Sequence, residues 1–215
     1  MQIGESINQA IEVIKALLPL TERLIRLAKT LGIGQPRLPA RSYENLFLDL
    51  TLDLRDAAGK RAMVVHKQRV RFLVEDAGVV MSPIWGEGDQ LGRYELEGAS
   101  RLGSRPEGPK QVQLLGLERS PTKNMAATIF GRRTIINGFT QEREYFEAVV
   151  DRPTKRLSIR VLFPRGRPPT EVYLTTPGAS DQKLPLRLGR DRRARIRWSQ
   201  IAPSPQTVYS LRWSW

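Results

Sequence analysis

The spacing of apolar residues changes period once, near residue 35, and that change sets the architecture. Ile7, Ile11, Ile14, Leu17, Leu20, Leu24, Leu27 and Leu31 recur at steps of three and four, which aligns them along one stripe of a helix. Ser6 stands where an N-cap is needed, and Gly32 and Gly34 end the pattern. Pro19 removes a hydrogen bond from the helix interior, so residues 1–33 read as an amphipathic helix or a kinked helix pair. Past the stiff linker Gly34-Gln35-Pro36-Arg37-Leu38-Pro39 the period falls to two. Leu46, Leu48, Leu50, Leu52 and Leu54 alternate with Phe47, Asp49, Thr51 and Asp53, as in a strand with one buried face.

Strand-like runs then follow at Met63–Val74, Val79–Trp85, Arg93–Leu96, Val112–Leu117, Ala126–Phe130, Glu144–Val150, Leu157–Phe163, Val172–Thr175, Leu184–Leu188, Ala194–Ile201 and Val208–Trp215. Gly, Pro, Asp and Ser clusters separate them at sandwich-like spacing. No strong helical period returns, which argues against parallel α/β units. The expected fold is therefore mainly β. It is an antiparallel β-sandwich over 38–215, preceded by the helical segment. Pro106–Pro109 and Gly131–Gly138 are candidate breaks, so one large body and two packed lobes (38–135 and 136–215) both fit.

Composition removes several chemistries. The chain has no cysteine and a single histidine, His66, so thiolate sites, disulfides and the usual zinc sites are unavailable. His66, in a predicted strand, reads as a side chain on a half-exposed face. Ser120-Pro121-Thr122-Lys123 matches S-x-x-K in outline, but it sits in a turn without its companion motifs. Gly86–Gly92 and Gly59-Lys60-Arg61 lack phosphate-loop spacing and read as hairpin turns. Asp49 and Asp53 lie about 13 Å apart along one strand face. The closer pairs, Glu95 with Glu97 and Glu142 with Glu144, sit among arginines and read as solvated. No catalytic residue, metal ligand or cofactor is assigned. With no basic-then-apolar leader and no uninterrupted apolar run of ~18–20 residues, a cytoplasmic protein without stable membrane insertion is expected.

What remains is charge. Of a formal net charge of +13, residues 151–215 contribute fourteen Lys/Arg against four Asp/Glu. In Arg193-Ala194-Arg195-Ile196-Arg197-Trp198 the arginines alternate strictly with core types, so a strand places them on one side. Arg187 and Arg212 alternate likewise, and Arg190 and Arg192 occupy the turn before Arg193. These seven arginines form the candidate partner-binding set. Tyr209, Leu211, Trp213 and Trp215 point inward, and Val208, Ser210, Arg212 and Ser214 outward. A basic outer face also discourages sheet-to-sheet aggregation, and nucleic acid is the alternative anionic partner. The apolar stripe Ile7–Leu31 is the candidate helix interface, recruiting a second copy or a partner, while the basic face is expected to contact an acidic protein.

Two stretches carry a resemblance. Pro153-Thr154-Lys155-Arg156-Leu157-Ser158-Ile159-Arg160-Val161-Leu162-Phe163-Pro164, and Trp198 to Pro203 with the closing Tyr209-Ser210-Leu211-Arg212-Trp213-Ser214-Trp215, resemble β-rich C-terminal modules of bacterial signalling and conflict-system (antiviral defence) proteins. The resemblance covers roughly residues 140–215 and rests on core and turn positions. It implies a non-catalytic sensing or scaffolding module.

Overall fold

The computed structural model describes residues 42–84, 91–107 and 110–215. The expected helix over 1–33 and its apolar stripe lie outside them. The described chain is mainly β, in three sheets. A seven-stranded sheet has the order β12-β13-β9-β1-β2-β7-β4, a four-stranded sheet β11-β10-β14-β8 and a three-stranded sheet β3-β6-β5. The strands are β1 (Tyr43–Leu54), β2 (Arg61–Phe72), β3 (Val79–Ile84), β4 (Leu91–Glu97), β5 (Ser100–Glu107), β6 (Lys110–Gly116) and β7 (Ala126–Ile136). They continue with β8 (Arg143–Val150), β9 (Arg156–Leu162), β10 (Glu171–Thr175), β11 (Gln182–Lys183), β12 (Arg187–Leu188), β13 (Ala194–Ile201) and β14 (Thr207–Ser214).

The leucine alternation lies at the centre of the large sheet. Leu48, Leu50, Leu52 and Leu54 are buried and register antiparallel with Gln68, His66, Val64 and Ala62 on β2. On the other side β1 runs parallel to β9, aligning Leu48, Leu50 and Leu52 with Leu157, Ile159 and Val161. The sheets are therefore not purely antiparallel, a correction to the sequence reading. Leu46 departs from the stripe, because the β1–β2 register shifts between Asn45 and Phe47. The extra residue of this bulge puts odd-numbered Tyr43 and Asn45 on the same face as the even-numbered leucines.

That inner face is covered in two places. One apolar cluster joins Leu48–Leu54, Ile159, Val161 and Ile196 of the large sheet to Phe146, Val172, Leu211 and Trp213 of the four-stranded sheet. Trp198 meets Tyr209 between these sheets at 5.1 Å, and Phe163 meets Trp213 edge-on at 5.6 Å. A second cluster joins Tyr43, Val70, Phe72 and Ile129 to Val80 and Leu115 of the three-stranded sheet. Polar side chains lie on the same face beside these clusters: Asn45, His66, Gln68 and Arg133 are all buried, as are Ser82 and Gln113 of the three-stranded sheet.

Local differences from the sequence reading have local causes. Leu184–Leu188 is not one strand: Pro185 interrupts the ladder, leaving β11 in one sheet and β12 in another. Strand β5 was hidden by Gly103 and Pro106. Strand β7 runs straight through Gly131, where a break was expected, because Tyr94 of β4 crosses there; a Cβ on Gly131 would lie 3.0 Å from its hydroxyl.

Candidate functional site

The outer face of the seven-stranded sheet carries the charge that the sequence pointed to. On β13, Ala194 and Ile196 are buried and Arg197 is exposed, as the alternation requires. Trp198 is partly buried against the core. Arg197 registers with Arg160 of β9, and Arg195 of β13 with Arg187 of β12. Arg160, Arg187 and Arg197 are exposed, and among the described residues none of the three has a carboxylate partner. Arg190 and Arg192 are also exposed, in the hairpin between β12 and β13.

The seven predicted arginines do not act as one set. Arg193 is an internal brace: its Nη2 donates to Asp53 Oδ1 at 2.6 Å, to Leu54 O at 2.9 Å and to Leu162 O at 3.2 Å, and its Nε to Phe163 O at 2.9 Å. Arg195 folds over its hairpin and donates to Asp191 at 2.6 Å. The Arg193 backbone N–H, followed by the Arg195 side chain, holds the Asp191 carboxyl below its ordinary value. Arg212 is exposed, but on β14 of the four-stranded sheet, in register with Tyr173 and Tyr145. Its neighbour Ser210, expected outward, is buried.

Sequence reasoning missed other members of the basic face. Arg156 and Arg160 alternate with Leu157, Ile159 and Val161 on β9, a signal of the same kind as that on β13. Phe47, on the outer face by alternation with Leu48 and half-buried, has the Lys67 ammonium 5.8 Å and the Arg156 guanidinium 5.6 Å from its ring centre. Phe130 registers with Lys67 and is half-buried too. Cations and aromatic rings are thus interleaved on this face. Arg156 also pairs with Asp49 at 3.6 Å.

Two further expectations are corrected. His66 is buried, 8% exposed, because its strand position faces inward beside Leu50 and Gly131. Burial lowers its pKa to about 4, partly opposed by Gln68. Glu144 is likewise buried; burial raises its pKa, and it accepts the Gln141 backbone N–H at 2.6 Å. Among the described residues no three His, Asp or Glu side chains gather as a metal site, and no helix is long and apolar enough to cross a membrane.

No family model matches the sequence, and no curated protein matches it. Among solved structures, the chain is similar to a putative protease from Parabacteroides distasonis, with a TM-score of 0.50 and 10% identity over 82% of this chain and 41% of that one. It is also similar to an M1 zinc metallopeptidase from Deinococcus radiodurans, with a TM-score of 0.48 and 10% identity over 82% of this chain and 43% of that one. The chain spans about two fifths of the length of these proteins. The likeness to the first is one of fold.

Proposed function

We propose that this chain is a non-catalytic bacterial interaction or sensing module, an adaptor or scaffold in cytoplasmic signalling or antiviral defence, whose seven-stranded sheet presents a basic face to an acidic protein. The observation that carries the reading is the direct opposition of Arg160 and Arg197, both exposed and without counter-ions among the described residues. Like charges opposite one another destabilise a sheet, so their placement serves something other than the fold. Arg187 extends the patch on β12, and Arg156 extends it on β9. In this reading the stripe Ile7–Leu31 recruits a second copy or a partner. Light scattering of the full chain against a chain beginning at Leu38 tests that role, and self-association is wrong if both are monomers.

Binding to polyglutamate, measured across salt for the wild type and for Arg160→Glu with Arg197→Glu, tests the face. Saturable binding that weakens with salt and is lost in the double variant is expected. Absence of binding at low salt overturns the reading.

A second reading, single-stranded nucleic acid, is favoured by Phe47 between Lys67 and Arg156, since bases stack on aromatic rings along a cationic surface. Tighter binding to oligo-dT than to polyglutamate, with a log–log salt slope of about −3 for four phosphate contacts and loss in Phe47→Ala, would select it.

A further inference from the structure

The buried polar part of the large sheet's inner face has chemistry that neither apolar cluster explains. Arg133 is 8% exposed, yet no carboxylate among the described residues pairs with it. A buried cation without a counter-ion is strongly destabilising unless something neutralises it. Its immediate contact is the Tyr94 ring, 4.5 Å from the guanidinium, on the residue directly opposite it on β4. The same ring reaches over Gly131, where a Cβ would lie 3.0 Å from the phenolic oxygen and 3.2 Å from a ring carbon. Gly131 in turn registers with His66, so the Tyr94 hydroxyl, Arg133 and His66 occupy adjoining positions on one face.

These groups are matched as donors. The His66 Nδ1 lies 3.5 Å from the Ser82 hydroxyl. A hydroxyl donating to Nδ1 leaves the ring hydrogen on Nε2; Nε2 is buried with no hydrogen bond of good geometry among the described residues, and Gln68 is the one side chain whose hydrogen bonding favours the charged ring. Two acceptors in the same polar region, Gln68 Oε1 and Gln113 Oε1, are also buried without partners. Gln113 registers with Ser82 across β3 and β6. Arg101, exposed, is close enough for its charge to act on both Tyr94 and Arg133.

We propose that Arg133, with Tyr94 and His66, forms a phosphate-binding site at the β4 side of the seven-stranded sheet. A guanidinium binds phosphate oxygens with two parallel N–H groups. The His66 Nε2–H and the Tyr94 hydroxyl supply neutral donors, and Arg101 a second positive charge. Phosphate fits better than carboxylate because its tetrahedral oxygens can meet the guanidinium fork, the His66 Nε2–H and the Tyr94 hydroxyl together, whereas a carboxylate offers two oxygens in one plane. The group arrives either as inorganic phosphate or as a phosphate monoester. The site is separate from the outer-face arginines and does not depend on their function.

His66 is the only histidine, so its imidazole resonances in the full chain report on this site without assignment ambiguity. Titrations of inorganic phosphate, O-phosphoserine and acetate, at constant pH and ionic strength, are compared by NMR. A saturable shift with phosphate or phosphoserine is expected, the tighter of the two naming the source, with acetate much weaker. Arg133→Met should weaken binding at least about tenfold, as for one lost charge-assisted hydrogen bond. Arg133→Lys, which keeps the charge and loses the fork, serves if the methionine variant does not fold and should also weaken it. Arg160→Glu with Arg197→Glu should leave the isotherm unchanged. The proposal is overturned by the absence of saturation, by an isotherm insensitive to both Arg133 variants, or by acetate binding as tightly as phosphate.

Discussion

Arg160 of β9 and Arg197 of β13 stand directly opposite each other on an antiparallel pair, both exposed on the outer face of the seven-stranded sheet. Their repulsion lowers stability by an amount that salt screens. Arg160→Glu turns it into attraction and should stabilise the fold by about 0.5 kcal/mol at low ionic strength, with the gain shrinking in about 1 M salt. The same variant should bind polyglutamate less tightly. Urea midpoints at the two salt concentrations check the first effect and a binding isotherm the second.

His66 couples stability to pH. Its folded pKa, lowered by burial to about 4, lies below the ordinary 6.5, so the unfolded chain takes up the proton first. The contribution is fully present above pH 6.5 and is lost as pH falls towards about 4. The interval corresponds to about 3 kcal/mol. In His66→Gln the loss of stability between these pH values should be smaller by that amount. Urea unfolding of both proteins across the range measures it, and parallel profiles would refute the coupling.

Gly59 is held at φ +70°, and a Cβ there would lie 1.6 Å from the Phe139 carbonyl oxygen. The close approach is part of the β1–β2 turn, where Phe139 N donates to Gly59 O at 3.2 Å and the Asp56 carboxylate accepts Arg61 N at 2.7 Å. Gly59→Ala must therefore displace backbone as well as adopt a left-handed conformation, and should cost about 3 kcal/mol. Thermal unfolding reads this directly, and a loss below about 1 kcal/mol would show that the 137–139 segment yields easily.

Arg193 ties the ends of three adjacent strands, β1, β9 and β13, through its bonds to Asp53, Leu54, Leu162 and Phe163. Arg193→Ala leaves three carbonyls without that donor, while Asp53 keeps Arg55 at 2.9 Å. A destabilisation of about 2 kcal/mol is expected. Faster amide exchange at Phe163, whose N–H bonds to Ala194 O at 2.9 Å, should accompany it if the brace acts locally.

Much of this was legible in one dimension. Strict alternation over Leu48–Leu54 and Arg193–Trp198 gave the inner and outer faces correctly, because a strand's side-chain period is two whatever it pairs with. The aromatic core followed from the same rule, with Tyr209, Leu211 and Trp213 buried on β14. Partners across sheets did not follow, since alternation carries no information about which strand lies alongside. Arg212 was grouped with Arg197 because both alternate with core residues, whereas β14 and β13 belong to different sheets. The parallel pairing of β1 with β9 joins strands about a hundred residues apart and leaves no local mark.

The bulge at Asn45–Phe47 shows the limit most clearly. A single inserted residue inverts the parity of the strand before Phe47, bringing Tyr43 and Asn45 inward onto the leucine face. His66, Gln68 and Arg133 look like ordinary surface residues in sequence, because local patterns count a polar side chain as exposed. By itself the sequence determined a β-rich body with a basic strand face, through periodicity and composition. Tertiary structure decided which arginines are braces and which lack a carboxylate partner among the described residues, and it placed one such guanidinium, Arg133, in the interior. Burial and pairing are properties of neighbours brought together from distant segments, and only the assembled sheets specify those neighbours.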